Sequence, residues 1–211
     1  MNLNIIILAA GKGKRMHSSL PKVMHKVGGK SMLEHVLISA KKLNPSSINV
    51  VLSPKIESIK KFFGSYDIAW HSQSEQKGTA DAVKIVLPSL KEDEKVLILY
   101  ADTPLIDSNL LDKFINYMPK SDVKVLTVNL EKPFGYGRII REQAEEEIIS
   151  KIIEETEADD LQKNIKECNT GIIFSDVSKL NSLISEVKND NSKKEFYLTD
   201  IVSIALSLIH I

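Results

Sequence analysis

Glycine and positively charged side chains are concentrated in one short segment near the N-terminus. Residues 3–22 read LNIIILAAGKGKRMHSSLPK, and Gly11 and Gly13 follow directly after an apolar run. Because glycine has no Cβ, a ligand can approach the backbone amides there. The surrounding cations are Lys12, Lys14, Arg15 and Lys22. Open amides and positive charge together predict a loop that binds phosphate.

This loop differs from the two commonest phosphate-binding motifs. No Lys-Ser or Lys-Thr pair follows the second glycine at the spacing of a GxxxxGK[ST] loop, and no third glycine completes a GxGxxG motif. On the glycines alone, an ordinary turn with solvated lysines remains an alternative. The choice depends on which other residues the fold brings to the same place.

Asp102 is the candidate metal ligand. It stands in the string YADTPL, directly after the apolar run that ends at Tyr100. A lone carboxylate at the end of a strand often does no more than cap a helix or solvate a turn. Beside a cationic phosphate loop it suits a nucleoside triphosphate, whose magnesium is usually held by one or two carboxylates and by the phosphates themselves. We therefore expect Asp102 to bind magnesium.

Two glutamines precede a Gly-Thr pair in the string QSEQKGT. Gln73 and Gln76 flank Glu75, and Gly78 and Thr79 follow. An amide side chain offers both a donor and an acceptor, as the edge of a nucleotide base requires, and Gly78 leaves its backbone open. An ordinary polar surface loop has the same composition. The residues alone favour this interpretation over a base-binding segment.

Strand-like and helix-like segments alternate along the chain. Apolar runs predict strands at residues 5–9, 48–53, 66–70, 95–102, 123–130, 135–142, 145–155 and 169–176. Helical spacing predicts helices after the Gly28-Gly29 turn and at residues 57–63, 78–88, 108–117, 178–189 and 195–209. Such alternation is typical of an α/β fold with a mostly parallel central sheet and helices on both faces. Gly11, Gln73 and Asp102 then fall at the carboxyl ends of strands, where such sheets bind ligands.

The composition of the chain argues against several classes of binding partner and metal site. The chain has 211 residues, of which 43% are hydrophobic and 27% charged, as expected for one domain with a real core. Lys plus Arg equals Asp plus Glu at 28 each, so no overall charge attracts nucleic acid or a membrane surface. The single Cys168 and the absence of a leader-like N-terminus or a membrane span favour the cytoplasm. The five histidines show no paired spacing, which argues against a zinc site.

The motifs resemble those of one enzyme family. LAAGKGKRM followed by LPK resembles the signature of sugar-1-phosphate nucleotidylyltransferases. QSEQKGTADA, YADTPL, GYGRI, IIEETEA, CNTGI and EFYLTD are similar, in the same order, to segments of bacterial N-acetylglucosamine-1-phosphate uridylyltransferases. In that family the domain is the amino-terminal half of a bifunctional enzyme that also acetylates glucosamine-1-phosphate. The resemblance implies a single-domain, Rossmann-like nucleotidyltransferase fold over residues 1–211.

The resemblance also implies roles for residues at matching positions. The nucleotide would lie on Leu8, Ala9, Ala10 and Gly11, with Arg15 and Lys22 as the catalytic cations on the phosphates. The uracil would meet Gln73, Gly78 and Thr79, and the ribose side and the metal would meet Tyr100, Ala101 and Asp102. The amino sugar would bind Gly137, Glu154, Asn169, Tyr197 and Thr199.

The implied reaction joins UTP and N-acetylglucosamine-1-phosphate to give UDP-N-acetylglucosamine and pyrophosphate. A phosphate oxygen of the sugar phosphate attacks the α-phosphorus in line, so no side chain need act as a nucleophile. Arg15, Lys22 and magnesium would offset the negative charge. The resemblance further implies that the product would serve the cytoplasmic synthesis of peptidoglycan and lipopolysaccharide precursors.

The sequence departs from the family pattern in three places. Ala101 replaces a glycine, which could alter nucleotide affinity, and Phe196 replaces a tyrosine. The chain stops at Ile211, before the family's second metal ligand and its trimer-forming β-helix domain, so we expect weak or absent turnover and no acetyl transfer. The alternatives are another nucleotidylyltransferase, for example for CTP or for a molybdenum cofactor, a dinucleotide-binding redox domain, or a fragment that binds nucleotide without turnover.

Overall fold

The first strand is buried on both faces. The computed structural model describes residues 2–11, 13, 16–117, 123–142 and 147–209. Strand β1 (Leu3–Leu8) consists of six consecutive buried residues. Ile5 and Ile7 belong to one core cluster, whereas Ile6 and Leu8 belong to another on the opposite face. A strand between two cores needs apolar side chains on both faces, which explains the run of Ile5, Ile6, Ile7 and Leu8 in the sequence.

Three further strands pair in parallel around β1. They are β4 (Ser47–Leu52), β5 (Ala69–Ser72) and β6 (Lys95–Tyr100). Their order across the sheet is β5-β4-β1-β6, and each neighbouring pair is parallel. The segments that follow these four strands therefore leave the sheet at the same edge.

The other side of the same sheet is antiparallel. It contains β7 (Val123–Asn129), β8 (Arg138–Arg141), β9 (Ile149–Ile153) and β10 (Glu167–Asp176). Strand β10 pairs with β6, β7 and β8, and β8 pairs with β9. Residues 143–146, between β8 and β9, lie outside the described part of the chain. The antiparallel strands extend the central parallel sheet.

Helices cover both faces. The helices are α1 (Met32–Lys41), α2 (Thr79–Val86), α3 (Ser108–Asn116), α4 (Asp160–Lys163), α5 (Val177–Glu186) and α6 (Asp200–Ile209). Buried residues of α1 and α3 belong to the cluster of Ile5, and those of α2, α5 and α6 to the cluster of Ile6. This confirms the predicted α/β fold class with helices on both faces. A small hairpin of β2 (Lys26–Val27) and β3 (Lys30–Ser31) precedes α1.

Two helix predictions need correction. The predicted helix at residues 57–63 is a 3-10 helix over Pro54–Phe63, and the strand after it is Ala69–Ser72 rather than residues 66–70. The last helix begins at Asp200 rather than at residue 195. The backbone of Phe196 forms hydrogen bonds with another segment instead of continuing the helix. Its N–H donates to the Lys77 carbonyl at 2.7 Å, and its carbonyl accepts from Ala80 N at 3.0 Å. These bonds hold the segment before α6 against residues 77–80.

Gly78 is the position that makes this contact possible. Its φ is +126°, and a Cβ there would lie 2.3 Å from the Phe196 carbonyl oxygen. The sequence suggested that Gly78 exposes its backbone to a ligand, but its bare Cα also lets two chain segments come together. A side chain would meet rigid backbone, which cannot move aside cheaply.

We expect Gly78→Ala to destabilise the fold by at least about 2 kcal/mol, because positive φ and the collision with Phe196 act together. Gly11→Ala is the matched control, since nothing lies within 4 Å of a Cβ placed there. That control should change stability by less than about 0.5 kcal/mol. Urea unfolding of the two variants measures the difference, and equal midpoints would contradict the steric argument.

Candidate functional site

A cavity of about 950 Å³ opens where β1 and β6 end. It brings together many of the predicted residues: Leu8, Ala9, Ala10, Gly11, Lys22, Gln73, Gly78, Thr79, Tyr100 and Asp102. These come from the loops after β1, β5 and β6, which leave the sheet at one edge. A volume of this size is ample for a ligand of nucleotide-sugar dimensions.

Lys22 and Asp102 meet in this cavity. The Lys22 ammonium donates a hydrogen bond to Asp102 Oδ2, and the two form an ion pair. Their side chains are 30% and 35% exposed, so the pair faces water rather than the core. A cation and a carboxylate from loops 80 positions apart thus share one hollow. Arg15, Lys12 and Lys14 were predicted beside them but lie outside the described residues.

The two glycines of the first loop have different structural roles. Gly11 lines the cavity, and a Cβ there would meet nothing within 4 Å. Gly13 has a φ of +56°, and its Cβ would lie 2.8 Å from Lys22 Cβ. The sequence predicts that both glycines open the backbone to a ligand. In the structure Gly11 leaves open space in the cavity, whereas Gly13 makes room for Lys22.

The loop between β5 and α2 is fastened by its two glutamines. Gln73 is 3% exposed, and its side-chain nitrogen donates to the Gly78 carbonyl at 3.0 Å and to Asp81 Oδ2 at 2.8 Å. Gln76 donates to the carbonyl of Ala10 and lines the cavity. Gln76 therefore connects this loop to the loop after β1, a role that only the folded chain reveals.

Tyr100 connects the cavity with the antiparallel strands. Burial raises the pKa of its hydroxyl group, and a hydrogen bond with the Thr79 side chain partly opposes this effect. Its ring packs against Gly171, where a Cβ would lie 2.5 Å from Cε2. Gly171 has a φ of +82° and lies in the irregular part of β10. Thr79 Oγ1 also accepts a hydrogen bond from Leu198 N at 2.9 Å.

The residues predicted to bind the sugar form a second cluster next to Tyr100. Thr199 Oγ1 donates to Glu154 Oε1 at 3.4 Å, and the Gly137 carbonyl accepts from Asn169 N at 2.9 Å. A Cβ on Gly137 would lie 3.7 Å from Glu154 Oε1. These residues and Tyr197 are not part of the cavity wall itself. They adjoin it through Tyr100, which also experiences the charge of Glu154.

Ala101 needs a correction. Its side chain is fully buried in the core cluster of Ile5, and it does not line the cavity. Its backbone N–H donates to the Leu8 carbonyl at 3.1 Å. The methyl group that distinguishes it from the family's glycine therefore packs inside the protein. The expected effect on nucleotide affinity loses its structural basis.

The family resemblance gave no ligand role to several of the cavity residues. They are Gly13, Met16, Val23, Gln76, Ala82, Phe134, Gly135, Tyr136 and Glu195. Gln76 and the string GYGRI were visible as motifs, so Gln76, Gly135 and Tyr136 had a signal in the sequence. Phe134 and Met16 had none, because an exposed apolar residue in a loop has no periodicity to reveal it.

A buried arginine fixes the rim of the cavity. Arg138 is 2% exposed and forms an ion pair with Glu155 at 2.7 Å. It also donates to the carbonyls of Tyr136 and, at 3.3 Å, of Lys163. Removing one partner of a buried pair leaves an uncompensated charge, so this contact is expensive to break. It joins the turn before β8 to the segment that carries Glu154.

Acidic side chains around α6 are partly buried. Burial, followed by the charges of Glu157 and Glu154, raises the pKa of Asp200 to about 6. Burial also raises the pKa of Glu154, against the opposing charge of Lys193. Tyr197 has its pKa raised to about 12, and no described residue hydrogen-bonds its buried hydroxyl group.

The part of the chain that the structure describes shows no preformed metal cluster. No three His, Cys, Asp or Glu side chains of those residues stand together in a way that could hold an ion. A metal at Asp102 would need other ligands, such as phosphate oxygens and water.

None of the described helices is long and apolar enough to cross a bilayer.

We expect Asp200→Asn to stabilise the protein by about 1 to 2 kcal/mol at about pH 8, after screening by water is allowed for. The folded protein holds the Asp200 proton up to about pH 6, whereas the unfolded chain releases it near 3.8. Stability therefore falls as pH rises between these values, and the asparagine variant escapes this loss.

Urea unfolding at about pH 8 and about pH 3.5 tests the expectation, since the advantage of the variant should vanish at the lower pH. Asp67→Asn, at an exposed position, controls for the loss of one negative charge. An equal advantage for Asp200→Asn at both pH values would contradict the argument.

Comparisons with known proteins agree with this geometry. The model of the MobA-like NTP transferase domain matches residues 5–165. The chain is 44% identical over 205 residues to the bifunctional protein GlmU of Idiomarina loihiensis, and 39% identical to that of Herminiimonas arsenicoxydans. Each match covers 97% of this chain but only 44% and 45% of the relative, so the chain spans less than half the length of these relatives.

Solved structures share the fold. A UDP-glucose pyrophosphorylase in complex with UDP-glucose has a TM-score of 0.77 at 16% identity, covering 100% of this chain and 88% of the other. A putative glucose-1-phosphate thymidylyltransferase from Bacillus anthracis has a TM-score of 0.78 at 21% identity, with coverage of 98% and 83%. The family match over residues 5–165 carries the assignment: the chain belongs to the family of MobA-like NTP transferase domains.

Proposed function

We propose that this chain transfers a uridylyl group from UTP to N-acetylglucosamine-1-phosphate, giving UDP-N-acetylglucosamine and pyrophosphate. The observation that carries the proposal is the meeting of Lys22 and Asp102 in one cavity with the open Gly11 loop. The relatives named GlmU and the solved complex with UDP-glucose support the choice of a uridine nucleotide and a sugar phosphate.

The two ligand halves would occupy different walls. The nucleotide would lie against Leu8, Ala9, Ala10 and Gly11, with its base near Gln73, Gly78 and Thr79. Because the Gln73 nitrogen is already engaged with Gly78 and Asp81, this side chain would meet the base through Oε1. The amino sugar would lie toward Tyr100 and the cluster of Gly137, Glu154, Asn169, Tyr197 and Thr199.

Asp102 fits a magnesium ion that arrives with the nucleotide. Its carboxylate is a hard oxygen ligand, is 35% exposed and faces the cavity. A single protein carboxylate suits an ion whose remaining ligands are phosphate oxygens and water. When bound, magnesium would neutralise part of the charge on the triphosphate.

Lys22 would stabilise the transferred phosphoryl group. The incoming sugar phosphate is already an anion, so the barrier arises mainly from repulsion between negative charges and from charge that develops on pyrophosphate. Lys22 faces the cavity and reaches Asp102, so its ammonium can also reach phosphates bound beside that carboxylate. Arg15 would assist it. Holding both substrates in line supplies much of the remaining acceleration.

Pyrophosphate release tests the reaction. The 211-residue chain is incubated with magnesium and each of UTP, CTP and GTP, with N-acetylglucosamine-1-phosphate or glucose-1-phosphate as acceptor. We expect the highest rate with UTP and the amino-sugar phosphate. Binding titrations of UDP-N-acetylglucosamine, CTP and GTP in parallel test the site when turnover is slow. A preference for CTP or GTP in both measurements would reject the proposal.

Lys22→Ala should lower the rate of uridylyl transfer by roughly 10²- to 10³-fold, because a charge-stabilising donor is lost. Arg15→Ala is expected to lose at least as much. Lys84→Ala is the matched control, since Lys84 lies on α2, is exposed and does not line the cavity. Steady-state kinetics, with circular dichroism to confirm folding, provide the measurement. Full activity of the folded Lys22 variant would remove Lys22 from the mechanism.

A further inference from the structure

The aromatic side chain of Phe134 is exposed to solvent, which is unfavourable for an apolar ring. Its side chain is 86% exposed, the highest fraction among the large apolar residues that the structure describes. A single exposed apolar residue is common and needs no explanation by itself. Phe134 differs because it also lines the cavity, together with Tyr136. The ring therefore borders the space that a ligand would fill while packing little against the protein.

The turn that carries Phe134 is held in place. The Tyr136 N–H donates to the Pro133 carbonyl at 3.2 Å, and Gly135 has a φ of +84°. Arg138, itself buried, donates to the Tyr136 carbonyl. The ring is thus attached to an anchored backbone, so that less conformational freedom is lost when a ligand covers it.

The same turn leads into the sugar cluster. Gly137 is three residues after Phe134, and its carbonyl accepts from Asn169 N at 2.9 Å. Arg138 pairs with Glu155, the neighbour of Glu154. Phe134 therefore lies on the side of the cavity that adjoins the cluster of Gly137, Glu154 and Asn169, rather than on the glycine loop after β1.

We propose that Phe134 is a specificity-determining residue that packs its ring against the C–H face of the sugar in a bound nucleotide sugar. This inference rests on the proposed function, because it assumes that the cavity holds a nucleotide joined to a sugar. The face of an aromatic ring carries partial negative charge, and the C–H groups on one side of a pyranose are weakly positive. Contact removes both apolar surfaces from water.

Calorimetric titration of Phe134→Ala with a nucleotide sugar and with its free nucleoside diphosphate tests the inference. Wild type is first titrated with UDP-N-acetylglucosamine, UDP-glucose and dTDP-glucose, and the tightest ligand is used with UDP or dTDP as appropriate. We expect Phe134→Ala to weaken the nucleotide sugar about 10-fold and the free diphosphate less than about twofold. The difference isolates the sugar.

Two further variants make the test specific. Phe134→Tyr keeps the ring face and should stay within about twofold of wild type for both ligands. Phe62→Ala removes another phenylalanine that is 63% exposed but lies away from the cavity, and it should change neither affinity. Thermal unfolding confirms that each variant folds, as expected for exposed positions.

The outcomes separate this inference from the proposed function. Equal weakening of both ligands by Phe134→Ala, no weakening of either, or a Tyr variant as weak as the Ala variant would overturn the role of Phe134. Preference of wild type for UDP-glucose or dTDP-glucose would instead contradict the proposed substrate, while a loss confined to that nucleotide sugar would still support Phe134. Failure of wild type to bind any of the three would reject both.

Discussion

The pairing of β1 with β6 is the constraint on which the cavity depends. Leu8 stands opposite Tyr100 in this parallel pair, and the Ala101 N–H continues the ladder to the Leu8 carbonyl at 3.1 Å. A slip by one residue would turn the Ile5 side chain toward the wrong core cluster, so burial on both faces fixes the register. The loops that follow start at the same level. Lys22, which follows β1 in the chain, and Asp102, which follows β6, meet at this edge of the sheet.

The sequence predicts this part of the molecule well for a physical reason. Strands β1 and β6 each contain a run of apolar residues, at positions 5–8 and 96–99, and soon after each run polar and glycine residues begin. Local composition therefore marks both the strands and the loops at their ends. Since ligands of such sheets bind at the carboxyl ends of the strands, the positions of Gly11, Gln73 and Asp102 in one cavity follow without knowledge of any long-range contact.

The rest depends on contacts between distant segments, which leave no local pattern. Gly78 must be bare because of Phe196, Gly171 because of Tyr100, and Gly13 because of Lys22. In the sequence each is only a glycine in a polar or strand segment. The start of α6 follows the same logic, because the chain before Asp200 is held by hydrogen bonds to residues 77–80. Helical periodicity alone extends that helix too far.

In the cluster of Glu154, Tyr197 and Thr199, polar groups are only partly satisfied by the residues that the structure describes. Burial raises the pKa of Glu154, and burial with neighbouring acids raises that of Asp200 to about 6. The contact from Thr199 to Glu154 is long at 3.4 Å, and no described residue hydrogen-bonds the Tyr197 hydroxyl group. Polar groups that leave water without gaining a partner cost free energy in the unliganded protein.

That cost is informative about the ligand. The cavity wall formed by Gln73, Gln76 and Thr79 needs little from a ligand to be satisfied, since these side chains already hydrogen-bond within the protein. The cluster around Glu154 has capacity left, because a carboxylate and a hydroxyl group stand there with few partners. A ligand that supplies several hydroxyl groups and an amide would satisfy them and offset the cost of their burial. An N-acetylated amino sugar supplies these groups, so the cluster supports the sugar half of the proposed ligand rather than its nucleotide half.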